Sequence, residues 1–327
     1  MNQLFRWDQM GLFLLALAAG ILPFAVPEVC AAALREGLTL CSGPLLLSLF
    51  PFLVVSRLLI QCPESDLLAL PFRLAAWGIG IRTPCAARVL CIGFLGGFAP
   101  AASAAAQAVR TGQLTAEEAD ALLPACICSG PSFVVLTVGQ SLLGSAELGV
   151  LLFASQITAN YLTAALLNRF AGVHSVKPGS AAPASPAPPR LDEILADAAI
   201  TYCKLCGFIL FFRLLAAGAG ALLPAGVGTL CAILLEVCSG CDLASRTGWW
   251  GSLLCCAALS VQGLSVLLQV RTICPPEMTL RPLYRSRLLH LPLSLALFYL
   301  LLPGGEADVF STLPARVLLM RRVPPDC

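Results

Sequence analysis

Long apolar runs, separated by short polar stretches, follow one another along most of the chain. A helix needs about 20 mostly apolar residues to cross the hydrocarbon of a bilayer. The longer runs are residues 10–26, 38–60, 86–109, 148–170, 191–223, 249–270 and 288–302, and shorter runs occupy residues 67–81, 132–143 and 227–237. This pattern predicts an all-α fold, a polytopic transmembrane helical bundle of about eight segments, in which the half-length pieces are broken or re-entrant helices.

The pattern is interrupted once, at residues 171–190, which are rich in Pro, Ala and Ser and have no apolar periodicity. Such a segment is typical of a linker. With the linker at this place, the sequence predicts five segments. They are an N-terminal membrane helix or signal-anchor at 1–36, a first membrane half at 37–170, the linker at 171–190, a second membrane half at 191–303, and a C-terminal tail at 304–327. The first helix imitates a cleavable secretory signal, but the many apolar segments after it favour an uncleaved membrane helix.

The two sides of the linker resemble each other. PFLVVSRLLI at 51–60 matches FILFFRLLAA at 208–217, and SGPSFVVLTVGQ at 129–140 matches VQGLSVLLQV at 261–270. In both halves an interrupted apolar run precedes the glycine-bearing segment. Weak repeats with paired broken helices are typical of transporters built from two related halves. The alternative is that any leucine-rich sequence resembles itself.

The composition supports a bilayer as the natural solvent. Hydrophobic residues make up 58% of the chain and charged residues 12%, about half the charged fraction of a soluble domain. The mean hydropathy is +0.87. The net charge of +2 is spread without a dense basic cluster, which argues against nucleic acid as a partner. We therefore expect a multi-pass protein of the cell membrane, and we leave a homo-oligomer open.

Breaks in the apolar runs are the strongest candidates for a binding site. Ser129-Gly130-Pro131-Ser132 has the residues that restart a helix. Within a membrane, the free N–H groups of such a restart attract a polar or anionic group. Gly263 marks a matching break in the second half. The alternative interpretation is an ordinary loop between two helices.

Polar residues at helical spacing lie beside both breaks. Gln156, Asn160 and Thr163 share one helix face, and Gln262, Ser265 and Gln269 share another. Such stripes more often join helices by hydrogen bonds than bind a solute, but their position favours a lined pathway. The predicted binding residues for a small polar solute are Ser129, Gly130, Ser132, Gln156, Asn160, Gln262, Gly263 and Ser265.

Three ionisable residues inside apolar runs need an explanation. A carboxylate at Glu236 is costly in a membrane unless it is solvated, paired or used to couple an ion or proton. We predict ion coupling there, with a position at the membrane interface as the alternative. Arg57 and Arg213 are expected to extend to the lipid headgroups.

A short helix at the water boundary is predicted from Thr115, because Glu118 follows three residues later and completes a capping box. Pro124 should bend or end that helix.

No pattern of catalytic chemistry is visible, so the sequence predicts neither an enzyme nor a cofactor. The chain has 16 cysteines, and most lie inside apolar runs, where a thiol packs as a small hydrophobe. Two CxxC pairs, Cys203/Cys206 and Cys238/Cys241, would suit a metal only if all four met at one centre. Because hydrocarbon disfavours uncompensated thiolates, no metal is predicted.

Several short stretches, in order and spacing, resemble a known family. They are SLFPFLVVSRLL, the turn at 93–102, GQLTAEEADALL, SGPSF, ILLEVCSG, LSVQG and SRLLH. The chain resembles, over about residues 37–302, the sporulation integral membrane proteins of the YlbJ type, which carry the nucleoside-recognition or transporter Gate domain. The resemblance implies a role in endospore formation and transport or sensing of a small, nucleoside-like solute.

The chain departs from that family at the positions expected to be most polar. It has Phe98-Ala99 where relatives tend to have Tyr before a proline, Ile127 and Cys128 in place of Asn or Thr, and Gln262 in place of His. Each change makes the expected site less polar. The rival function is a non-transporting membrane component that supports spore-envelope assembly. Arg169, Lys177 and Arg190 favour a cytoplasmic linker.

Overall fold

The computed structural model describes residues 2–61, 63–172 and 190–302. Residues 173–189 of the expected linker and the expected tail at 304–327 lie outside the described residues. Within the described ranges every regular element is helical, which confirms the all-α prediction. The helices are α1 (Asn2–Ala25), α2 (Pro27–Ser42), α3 (Pro44–Gln61), α4 (Leu70–Gly78), α5 (Pro84–Gly96), α6 (Phe98–Arg110), α7 (Ala116–Cys126), a π-helix (Ser132–Leu142), α8 (Ala146–Ala171), α9 (Leu191–Leu222), α10 (Ala225–Leu235), α11 (Val237–Ser245), α12 (Gly251–Val261), α13 (Gly263–Ile273) and α14 (Arg281–Leu301).

In the described part of the chain, four segments are long and apolar enough to cross a membrane: Pro27–Leu47, Ala146–Ala171, Leu191–Leu222 and Gly248–Ile273. Shorter apolar helices lie between them, among them Pro84–Gly96, Ser132–Leu142 and Ala225–Leu235. The apolar helices indicate a membrane protein, and the half-length runs of the sequence correspond to the short helices α4, the π-helix and α10.

The helix ends beside the linker meet at one end of the bundle, here called the linker end. Asn168, near the end of α8, donates from its side-chain nitrogen to the carbonyl of Ala121 in α7 at 3.1 Å. The carboxylate of Asp120 accepts from the backbone nitrogen of Thr279, just before α14, at 2.8 Å. The ends of α3, α6 and α13 and the starts of α5 and α9 lie at this same end.

A helical hairpin enters the bundle from the linker end. α5 and α6 fold back on each other at Gly97, which has φ +81°. The antiparallel packing is tight, since a Cβ added at Gly93 would lie 3.2 Å from the Cβ of Ala101. The guanidinium of Arg88 donates to the side chain of Gln113 at 3.2 Å. That bond joins the first turns of α5 to the loop after α6, so both ends of the hairpin lie together.

A second hairpin, formed by α10 and α11, enters from the opposite end, where α9 finishes. Its tip is Glu236, whose backbone is extended. A Cβ added at Gly240 would lie 2.8 Å from the Cα of Ile233, so the arms again pack closely. The sequence predicted an interruption at this place, and the structure shows that the interruption reverses the chain.

Each hairpin is followed by a crossing helix that is broken near its middle. In the first half, α7 ends at Cys126 and the π-helix continues toward the opposite end. In the second half, α12 and α13 are separated at Gln262, which adopts the left-handed conformation with φ +66°. A long helix, α8 or α14, then returns. The order of long helix, hairpin, broken helix and return helix is therefore the same on both sides of the linker, with reversed direction. That the two halves are related stays a prediction.

Two arginines inside apolar runs form ion pairs. Arg57 and Arg213 each lie 2.6 Å from a carboxylate on a neighbouring helix, Asp197 and Glu36 respectively. These pairs tie α9 to α3 and to α2. α7 ends at Cys126, two residues after Pro124, where the sequence predicted a bend or an end of the helix.

Candidate functional site

The first hairpin tip lies directly against the break that follows α7. A Cβ added at Gly97 would lie 2.7 Å from the backbone nitrogen of Gly130 and 3.2 Å from the carbonyl oxygen of Cys128. No side chain fits between two backbones at that distance. Glycine is therefore required at the tip both by this approach and by its left-handed φ.

The second tip lies in the same way against the break between α12 and α13. A Cβ added at Gly263 would lie 3.0 Å from the backbone nitrogen of Glu236 and 3.0 Å from the carbonyl oxygen of Leu235. Gly263 also has a positive φ of +68°. Each hairpin tip thus packs on the broken helix of its own half.

The two pairs of breaks meet at the centre of the molecule. The side-chain nitrogen of Gln262 lies 3.5 Å from the hydroxyl oxygen of Ser129, which joins the break of one half to that of the other. Both residues are buried. The sequence predicted a site between 129–132 and 262–265, and the structure brings these segments together.

A cavity of about 50 Å³ lies at this meeting point. Its polar lining includes Ser129, Ser132, Glu236 and Gln269, and its apolar lining includes Phe98 and Val266. A cavity needs about 10–15 Å³ for each water molecule that it holds. The space therefore admits a few water molecules or one small ion in this conformation.

The Glu236 carboxylate caps the start of α11. It accepts from the backbone nitrogens of Cys238 at 2.8 Å and Ser239 at 2.7 Å, and from the Ser239 hydroxyl at 2.8 Å. A carboxylate at a helix N-terminus is stabilised by the helix dipole and by the free N–H groups there. Glu236 is only 2% exposed, so the alternative of a position at the interface is not supported.

Two glutamines beside the cavity have an oxygen without a hydrogen-bond partner among the described residues, Gln262 and Gln269. The Gln262 side-chain nitrogen donates to the carbonyl of Leu259 at 2.6 Å. Because only the nitrogen can donate to a carbonyl, the orientation of this amide is fixed and its oxygen is an unused acceptor. Unused buried acceptors are uncommon and indicate that another group can be accommodated there.

The predicted site residues divide into three groups. Ser129, Gly130 and Ser132 line the cavity, as does Glu236. Gln262, Gly263 and Ser265 lie behind it: Gln262 reaches Ser129, Gly263 supports the tip, and Ser265 accepts from Gln269 at 2.9 Å.

Gln156 and Asn160 do not line this cavity, contrary to the expectation. They belong to a separate polar cluster among α8, α12 and α14. The Gln156 amide donates to the carbonyl of Cys256 at 3.3 Å and to the hydroxyl of Ser260 at 3.1 Å. These bonds fasten α8 to α12, which is the joining role that polar stripes commonly have.

Sequence reasoning missed two charged or titratable members of that cluster, Arg287 and His290. Both are buried in α14, and the His290 ring nitrogen Nε2 lies 3.2 Å from the carbonyl oxygen of Gln156. Their spacing of three residues places them on one helix face. That spacing is the available signal, and both residues lie in the stretch SRLLH, which carries part of the family resemblance.

The cysteines form no metal centre in the part of the chain that the structure describes. No group of three or more His, Cys, Asp or Glu side chains there is arranged to hold a metal ion. The two CxxC pairs, Cys203/Cys206 and Cys238/Cys241, therefore do not meet at one centre.

Comparisons with known protein families, with curated proteins and with solved structures give no match for this chain.

Proposed function

We propose that this chain is a multi-pass protein of the cell membrane that binds a small polar solute at its central cavity and transports it. The observation that carries the proposal is the meeting of two hairpin tips, which enter from opposite ends, with two broken helices at one cavity. Discontinuous helices with solute and ion sites at their breaks are the arrangement of many secondary transporters. Helix breaks are otherwise expensive in a membrane, because they leave backbone groups unsatisfied.

The outer surface supports the membrane setting. Large apolar side chains point outward on α8 and α14, where Phe170 is 83% exposed and Leu288 79% exposed. Many large apolar side chains exposed on the outside of a protein indicate an apolar solvent or a partner. We propose that lipid covers it.

The charges at the cavity favour a polar or charged solute. The starts of α6, the π-helix and α11 all line it, through Phe98, Ser132 and Val237. Helix N-termini carry partial positive charge, and the Glu236 carboxylate supplies a negative charge beside them. The partial positive charge of the helix N-termini and the negative charge of Glu236 lie close to the unused oxygens of the two glutamines. This arrangement suits a solute that is transported together with an ion. Glu236 would then be the group that couples the ion to the solute.

The cavity volume restricts the solute in this conformation. Sites for drug-sized ligands occupy about 300–1,000 Å³, several times the space present here. A nucleoside-like solute, as the family resemblance implies, requires the hairpin tips to move apart. We propose that this conformation is an occluded one, which excludes a large solute and admits an ion or water.

Thermal stabilisation of the purified full chain tests the site. A solute that binds only the folded state stabilises it by about 2.7 kcal/mol at a concentration 100 times its Kd. Nucleosides, bases, small anions and alkali cations would be screened, and each hit tested for uptake into proteoliposomes. We expect Glu236→Gln and Gln262→Ala to abolish the solute-induced rise in melting temperature.

Asp120→Asn is the matched control. The Asp120 carboxylate accepts from the backbone nitrogens of Thr279 and Leu280 and from the Thr279 hydroxyl, the same three kinds of bond that Glu236 accepts. It lies near the linker end and does not line the central cavity. Asp120→Asn should therefore lower the melting temperature of the free protein while keeping the solute-induced rise.

A rise that survives in Glu236→Gln and Gln262→Ala would place the solute elsewhere. If no solute stabilises or enters vesicles, the rival function becomes the better one: a non-transporting component for assembly of the spore envelope. In either case we propose that the protein acts in endospore formation, which rests on the resemblance of the sequence to sporulation membrane proteins.

A further inference from the structure

Arg287 differs from three other arginines with nearly buried side chains. Those three each pair with a carboxylate: Arg57 with Asp197, Arg88 with Asp66 and Arg213 with Glu36, at 2.6, 3.2 and 2.6 Å. Arg287 is 7% exposed and has no carboxylate within ion-pair distance in the described part of the chain. A buried charge without a counter-charge is strongly disfavoured.

The contacts that Arg287 does make are long and neutral. Its guanidinium lies 3.3 Å from the hydroxyl oxygen of Ser286, 3.4 Å from the carbonyl oxygen of Ser260 and 3.4 Å from the side-chain oxygen of Asn160. Bonds from a guanidinium to an anionic partner are usually 2.7–2.9 Å. The neighbouring groups therefore replace the lost hydration of the guanidinium only in part.

Unused donors lie on the helix that faces Arg287. The Asn160 oxygen faces the guanidinium, which only donates, and the nitrogen of the same amide group has no partner among the described residues. The hydroxyl of Thr163, three residues along the same face of α8, also lacks one. Both side chains are at most 1% exposed. A positive charge and two unused donors between two helices suit an anion and do not suit a cation.

A wide opening leads toward the same helices from the linker end. This vestibule has a volume of about 700 Å³ and is lined by α7, by the end of α8 and by the start of α14, including Asn168, Arg285 and the carboxylates of Glu117, Glu118 and Asp120. Asn168 follows Asn160 by two turns on α8. Arg287, Asn160 and Thr163 lie further from the linker end than this vestibule and do not line it.

We propose that the interface of α8 and α14 binds one small monovalent anion of chloride or nitrate size. Arg287 supplies the counter-charge, and the Asn160 nitrogen and the Thr163 hydroxyl complete the donor set. Arg287, Asn160 and Thr163 do not line the central cavity, so this site is separate from the one proposed for the transported solute and does not depend on it.

Exchange of anions at constant ionic strength tests the site. The purified full chain would be transferred from sodium gluconate, whose anion is too large, into sodium chloride, nitrate or formate. Equilibrium dialysis with radioactive chloride would count the bound ion. We expect one chloride per chain, a higher melting temperature in chloride than in gluconate, and at least tenfold weaker binding in Arg287→Gln. Thr163→Val should weaken binding by a smaller factor.

Arg57→Gln is the control, because it removes a largely buried positive charge that already has its own carboxylate. It should bind chloride like the natural chain. In gluconate, Arg287→Gln should melt no lower than the natural chain, because the substitution removes an unpaired buried charge, and in chloride the order should reverse.

Absence of saturable binding of any of the three anions to the natural chain would overturn the proposal. Equal chloride binding by the natural chain and Arg287→Gln would overturn it as well. If Arg287→Gln does not fold in either salt, Thr163→Val and Asn160→Leu decide, and unchanged chloride affinity in both would refute the site.

Discussion

Two glycines with a positive φ have different surroundings. Gly97, at the first hairpin tip, has φ +81°, and Gly144, in the turn before α8, has φ +74°. Alanine is strained at both positions, and more so at Gly97, because its ψ of −164° completes a conformation that is essentially restricted to glycine. At Gly97 the new Cβ would also meet the backbone of Gly130 at 2.7 Å, whereas nothing lies within 4 Å of it at Gly144.

We therefore expect Gly97→Ala to lower the free energy of unfolding by about 1–3 kcal/mol more than Gly144→Ala, the usual cost of overpacking. Chemical unfolding of both variants in the same detergent measures the difference. Equal losses would show that the hairpin tip can move away from Gly130 at no cost, which contradicts a rigid meeting point.

At the scale of residues, the sequence identifies polar and charged residues that are unusual inside apolar runs. Ser129, Gly130, Ser132 and Glu236 were chosen because polar residues and breaks are costly inside apolar runs, and the structure places them at one cavity. Arg287 was missed, since an arginine at the edge of an apolar run is ordinary in sequence. Only the packing of α8, α12 and α14 shows that it is buried.

At the scale of elements, the breaks in the apolar runs could be predicted but the direction of the chain after each break could not. Gly97 and Glu236 both interrupt apolar runs, as does Gln262. The first two reverse the chain and the third continues it. Whether the chain reverses or continues is decided by tertiary contacts, such as the packing of Gly93 on Ala101. Glycine itself permits both a reversal and a continuation.

The attachment of α9 to its neighbours gives a prediction at the same scale. Glu36→Gln leaves the guanidinium of Arg213 buried without its counter-charge, so we expect a loss of stability. Adding Arg213→Met removes that charge and should recover part of the loss. The coupling between the two positions should be about 0.5–3 kcal/mol, the range for residues in direct contact.

A double-mutant cycle of unfolding free energies in detergent measures this coupling. Glu28→Gln, another acidic residue of α2, is the control and should show additive effects with Arg213→Met. Additive effects for Glu36→Gln and Arg213→Met would mean that the ion pair does not hold α9 against α2. The expectation that Arg213 extends to the lipid headgroups would then be the better description.

At the scale of the whole molecule, the two halves have the same order of elements in opposite directions, and this determines which turns lie on which side of the membrane. A chain with one hairpin entering from each end has the turns at Gly112 and Gly144 on opposite sides of the membrane. Arginines of the described residues concentrate at the linker end, among them Arg82, Arg110 and Arg281. Because positively charged loops stay in the cytoplasm, the linker end is expected to face the cytoplasm.

Short epitopes inserted at Gly112, Gly144 and Gly248 test this arrangement in intact cells. An antibody should reach the epitopes at Gly144 and Gly248 from outside, and the epitope at Gly112 only after the membrane is permeabilised. The reverse result would keep the architecture and invert its orientation. Access to Gly112 and Gly144 from the same side would contradict the broken crossing of α7 and the π-helix, because that crossing is what separates the two turns. The central cavity would then no longer lie between two hairpins that enter from opposite sides, and the transport proposal would lose its structural basis.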